Sequence, residues 1–93
     1  MRKYELTVVF PLEEDLYSAS RERLQADLSS NEVEIEKTDE IGDRDLAYEI
    51  KKRRRGRYVL YILKTGPEKI AALDRIFKLN PNLLKYLFVR VEE

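Results

Sequence analysis

Ninety-three residues, 43% hydrophobic and 39% charged, suffice for one domain (residues 1–93) with a single modest core and a heavily solvated surface. Lys plus Arg equals Asp plus Glu at 18 each, and Cys and His are absent; disulfides, thiolate or imidazole metal sites and His- or Cys-dependent nucleophilic triads are thereby excluded. No apolar stretch approaches transmembrane length, Met1-Arg2-Lys3-Tyr4-Glu5 lacks a signal-peptide core, and a cytoplasmic location fits.

Arg2–Phe10 alternates, with Tyr4, Leu6, Val8 and Phe10 on one side and Lys3, Glu5, Thr7 and Val9 on the other, which predicts a strand ended by Pro11. Over Leu12–Ser30 the period becomes helical. Leu12, Leu16, Ala19, Leu24 and Leu28 make the stripe, and Glu13, Glu14 and Asp15 occupy the first turn, where the helix dipole favours negative charge. Alternation returns from Glu32 through Ile50, interrupted by Gly42, an isolated glycine that suggests a bulge. A basic turn follows, then an apolar strand over roughly Arg57–Lys64. Thr65-Gly66-Pro67-Glu68 starts a second helix, either capped by Thr65 in a capping box or with Gly66 at the cap and Pro67 first. Its buried stripe is Ile70, Leu73, Ile76 and Phe77, and Asn80-Pro81-Asn82 stops it before a last strand over Leu83–Val91.

The order β-α-β-β-α-β predicts an α+β, ferredoxin-like fold: a four-stranded antiparallel sheet with two helices on one face, and right-handed crossovers joining parallel neighbours. The other face is left open. If Val59, Tyr61 and Leu63 point inward, Tyr58, Leu60 and Ile62 point to the open side, joined there by Leu87 and Val89. A contiguous apolar patch of this kind marks a partner surface, unless one strand is mis-phased or the chain's own ends cover it.

Lys51, Lys52, Arg53, Arg54, Arg55 and Arg57 put six cations into seven residues, leaving twelve basic against eighteen acidic residues elsewhere. A solvated hairpin tip kept soluble by charge is the bland reading. Six cations in one loop repel one another, however, and a phosphate backbone relieves that repulsion with counterion release. Arginine's fork also suits phosphate oxygens. Nucleic acid is favoured, RNA before DNA, because the turn is too short to be a groove-reading helix. Arg55–Tyr61 is similar to the third-strand signature of RNA-recognition motifs, but Lys3, Glu5, Thr7 and Val9 offer the open face nothing that stacks a base. The carboxylate runs Glu13–Asp15 and Glu32/Glu34/Glu36 lack a desolvating pocket, and neither phosphate-loop nor calcium-loop spacing occurs. No catalysis, cofactor, metal, membrane or small-molecule substrate is expected.

The start Met1–Glu5, Glu36-Lys37, the block Gly42-Asp43-Arg44-Asp45-Leu46-Ala47-Tyr48-Glu49-Ile50-Lys51-Lys52, and Gly56 followed by Tyr58-Val59-Leu60 resemble one family throughout the chain. It is the sixth protein of the bacterial small ribosomal subunit. The resemblance implies the same fold, no catalysis, and binding to the central domain of 16S rRNA as a heterodimer with the eighteenth small-subunit protein. By position it implies Arg2, Lys3, Arg44, Lys51 and Lys52 near RNA; Arg53, Arg54, Arg55 and Arg57 rest on the charge argument. Glu49 stands where the family commonly has proline, and Asp45 where it often has a basic residue. Many members carry a tail beyond the position of Glu93, so partner contacts are expected to rest more on the sheet. The alternative from another class is a regulatory or oligomerising ferredoxin-like module that pairs sheets to bind a small ligand.

Overall fold

The computed structural model describes residues 2–91, so Met1, Glu92 and Glu93, which include the first residue of the start motif and the chain end, lie outside the described residues. The elements run β1 (Arg2–Phe10), α1 (Glu14–Ser30), β2 (Glu34–Ile50), β3 (Arg53–Thr65), α2 (Pro67–Lys78) and β4 (Lys85–Val91). The strands form one sheet in the order β2-β3-β1-β4. This is the ferredoxin-like α+β arrangement. Every neighbouring pair is antiparallel, which corrects the expectation of parallel neighbours. Each helical crossover instead skips a strand: α1 carries the chain from β1 to the far side of β3, and α2 from β3 to the far side of β1.

The core lies between one sheet face and both helices. Leu6, Val8 and Phe10 of β1 and Val59, Tyr61 and Leu63 of β3 meet Tyr17, Leu24 and Leu28 of α1 and Leu73 and Phe77 of α2. Burying these side chains is the main source of stability, at roughly 1.5–3 kcal/mol for a fully buried large aliphatic or aromatic group. The α1 stripe is shifted from the expected one: Tyr17 and Ser20 are buried and Ala19 is exposed. Tyr17 wins its place by packing edge-on against Phe10, with ring centroids 5.4 Å apart. Ser20 tolerates burial because its hydroxyl donates to the Leu16 carbonyl at 2.7 Å.

Of the two starts open to α2, the one with Gly66 at the cap and Pro67 first is realised; Thr65 is buried as the last residue of β3. The last strand begins at Lys85, two residues later than expected, because Leu83 and Leu84 turn into the protein from a loop that the Asn80 side chain organises by accepting from the Asn82 amide at 3.1 Å. Strand β4 is tied to α2 by Tyr86, whose hydroxyl donates to the Asp74 carboxylate at 2.8 Å. Burial, then the Asp74 carboxylate, pushes that hydroxyl's pKa up to about 12.

Strand β2 is an edge strand with three register breaks, at Ile35/Lys37, Glu40/Gly42 and Asp45/Ile50. The second is the bulge that Gly42 signalled, and its φ of 101° is one that L side chains rarely adopt. The long β2–β3 hairpin closes on Lys51 and Lys52, both left-handed with φ of 50° and 64°, as a two-residue turn between paired strands requires.

Candidate nucleic-acid interface

The basic run is not one solvated bend. Only Lys51 and Lys52 form the turn; Arg53, Arg54, Arg55, Gly56 and Arg57 are the first residues of β3. Strand pairing wins because Asp43, Arg44 and Asp45 of β2 stand directly opposite Arg57, Gly56 and Arg55. The period of two then sorts the arginines by face. Gly56 is buried where the chain passes close to β1: a Cβ there would lie 2.4 Å from the Val9 side chain and 3.3 Å from the Phe10 carbonyl.

Three arginines are paired with carboxylates of the same chain, a second correction to the free tip. Arg53 reaches Glu13 at 2.5 Å, just before α1. Arg57 meets Glu14 at 3.3 Å and Asp43 at 3.6 Å, with its guanidinium 4.0 Å from the Tyr17 ring centroid. Arg55 pairs with Asp45 across the hairpin at 3.2 Å. The hydrogen bond from Arg53 holds the Glu13 carboxyl below its ordinary pKa. The acidic start of α1 therefore serves these arginines as well as the helix dipole. Beside it, Arg21 bonds Glu40 and the Tyr17 hydroxyl, whose own proton goes to Glu40 at 3.2 Å, so α1 is fastened to β2. Arg21 keeps the Glu40 carboxyl ionised to lower pH than usual.

The other predicted cations are placed differently. Lys51 donates to the carbonyls of Pro81 and Leu83 at 3.0 Å each, docking the turn on the α2–β4 loop. Lys3 pairs with Glu36 at 3.3 Å on the open face. Arg2 lines a shallow groove at the start of α2 with Glu32, Thr65 and Glu68. Arg44, Lys52 and Arg54 are exposed and make no carboxylate contact among the described residues.

On the open face, cross-strand pairing lines up Leu60, Thr7 and Leu87 in one row and Ile62, Glu5 and Val89 in the next, with Tyr58, Val9 and Lys85 beside them. Tyr58, Leu60 and Ile62 are half-buried, while Leu87 and Val89 are 54% and 45% exposed. All five candidate partner residues thus share one surface that neither helix covers. Beside this surface, where the hairpin meets β4, the Lys85 amine donates to the Tyr48 hydroxyl at 3.4 Å, a pair the sequence reasoning missed. Tyr48 lies within the Gly42–Lys52 block that carries the family resemblance, and that is the signal available for it.

The described residues hold no group of His, Cys, Asp or Glu arranged to bind a metal, and no helix long and apolar enough to cross a membrane. Comparison with known proteins gives a consistent result. The family model described as Ribosomal protein S6 matches residues 3–90. A protein of Treponema denticola named small ribosomal subunit protein bS6 is 50% identical over 93 residues, covering all of both chains. Its counterpart in Treponema pallidum is 45% identical over 99% of each chain, and that of Halalkalibacterium halodurans 41% over all of each. Among solved structures, 30S ribosomal protein S6 from Thermotoga maritima superposes with a TM-score of 0.85 at 22% identity, covering 97% of this chain and 87% of that one. The C-terminal domain of MgtC from Mycobacterium tuberculosis gives 0.62 at 14% identity, covering 100% and 90%. At such identities the structural likeness is one of fold.

Proposed function

The chain belongs to the ribosomal protein S6 family, making it a non-enzymatic protein of the small ribosomal subunit in the cytoplasm; we propose that it binds the central domain of 16S rRNA as a heterodimer with the eighteenth small-subunit protein. The observation that carries this reading is the uncovered sheet face, where Leu60 and Ile62 lie on one side of Thr7 and Glu5 and Leu87 and Val89 on the other, with the cationic hairpin at its edge. Apolar side chains grouped on one uncovered face suit a protein partner, and Thr7 and Glu5 between them offer that partner polar contacts. Cations around it suit the phosphates of folded RNA, which they position rather than read by sequence.

In this reading the free cations Arg44, Lys52 and Arg54 meet phosphate directly. Arg53, Arg55 and Arg57 exchange an exposed carboxylate for a phosphate, and such exposed pairs are weak enough to exchange. Arg2, Lys3 and Lys51 complete the proposed contact set. Replacing Arg53, Arg54 and Arg55 together by Ala is expected to weaken binding to a central-domain rRNA fragment and to flatten its log–log salt slope by up to about three. An unchanged slope would remove the hairpin from the RNA contact.

A further inference from the structure

Between the cross-strand pairs Asp45–Arg55 and Ile50–Arg53, the four residues Leu46–Glu49 of β2 stand opposite the single residue Arg54. The excess length bows out and leaves an open groove of about 430 Å3, lined by Asp45, Leu46, Ala47, Tyr48, Glu49 and Arg54. That volume lies within the roughly 300–1,000 Å3 typical of small-ligand sites. Tyr48 is 62% exposed on its wall. The Lys85 amine stands 5.5 Å from the ring centroid as well as bonding the hydroxyl. Arg54 has no carboxylate partner among the described residues, and Asp45 is already engaged by Arg55.

A lone exposed tyrosine needs no explanation. Here, though, the ring is combined with a recess, an unpaired guanidinium and an ammonium group. We propose that the groove takes one unstacked nucleotide of RNA, with its base stacked on the Tyr48 ring and its phosphate held by Arg54 and Lys85. Aromatic rings and guanidinium planes are what single-stranded loops and bulges of RNA use as stacking platforms, and cations beside them hold the backbone. Glu49, the remaining carboxylate of the groove, repels phosphate but can accept from an exocyclic amino group of the base. The site lies outside the sheet positions at which RNA-recognition motifs stack bases. It rests on the RNA-binding reading above and adds to it a non-ionic contact that the cations alone do not supply.

The test uses the full chain with its companion protein and a central-domain 16S rRNA fragment, titrated through a salt series. Tyr48→Ala is expected to weaken binding between about fivefold and a hundredfold with the salt slope unchanged, since stacking releases no counterions. Tyr48→Phe retains the ring and should retain affinity, whereas Tyr48→Leu should not. Arg54→Ala should lower both affinity and slope, the slope by about one. Circular dichroism and thermal melting of each variant establish that the fold is kept. If wild type binds and Tyr48→Ala binds equally well, the nucleotide site is wrong while the RNA-binding reading stands. If Tyr48→Ala loses the companion protein in the absence of RNA, the groove seats protein and the proposal is overturned. If wild type binds no rRNA, both readings fall together.

Discussion

A guanidinium held by a carboxylate of its own chain must give up that pair before it can neutralise a phosphate. Arg53 and Arg57 are in this position, against Glu13 and Glu14. The double variant Glu13→Gln, Glu14→Gln should therefore bind rRNA more tightly than wild type with its salt slope unchanged, because Arg53 and Arg57 meet phosphate in both proteins and only the variant has no internal pair to give up. Filter binding across a salt series reads this directly; a slope steeper than wild type's by up to about two would mean that the pairs survive in the wild-type complex. These contacts were not legible in the sequence. The partners lie 40 and 43 residues apart, and a run of acids before a helix has a sufficient local explanation in the dipole. What was legible is that six cations in seven residues need anions; the chain itself supplies some of them.

Among the elements, strand phasing could be read from alternation because one face of β1 and β3 is buried and the other is not. Gly42 announced its bulge because few residues other than glycine settle at positive φ. The bulge at Leu46–Glu49 carries no such mark, and the basic run reads as a loop but is strand, since strand propensity is a weak preference that pairing opposite Asp43 and Asp45 overrides. The join between α2 and β4 depends on protonation. The hydrogen bond from Tyr86, then that from Lys78, holds the Asp74 carboxyl below its ordinary 3.8, so its contribution to stability is present above that value and lost as pH falls through the lowered one. Tyr86 works in the opposite sense. Its pKa is raised from 10.0 to about 12, so its contribution is complete below pH 10 and lost as pH rises towards 12. Urea midpoints followed against pH should fall over that alkaline interval in wild type and show a smaller fall in Tyr86→Phe, whose midpoint is lower at neutral pH. Equal alkaline losses in the two proteins would assign the transition to other tyrosines.

At the scale of the molecule, a net charge of zero conceals an uneven surface. The edge strand β2 and the start of α1 are rich in carboxylates, the hairpin is rich in arginine, and the open face of β3 and β4 is apolar on either side of Thr7 and Glu5, with lysines at its margin. The three regions suit different neighbours, and the central claim is that the apolar one receives a protein while the cationic one receives RNA. Mixing the chain with the eighteenth small-subunit protein and a central-domain rRNA fragment, and following the assembly by sedimentation, tests that division directly. Leu60→Glu, on the open face and only half-buried, should leave circular dichroism and melting largely unaltered, abolish the heterodimer and remove the chain from the ternary complex. A Leu60→Glu protein that still sediments with partner and rRNA as wild type does would contradict the account.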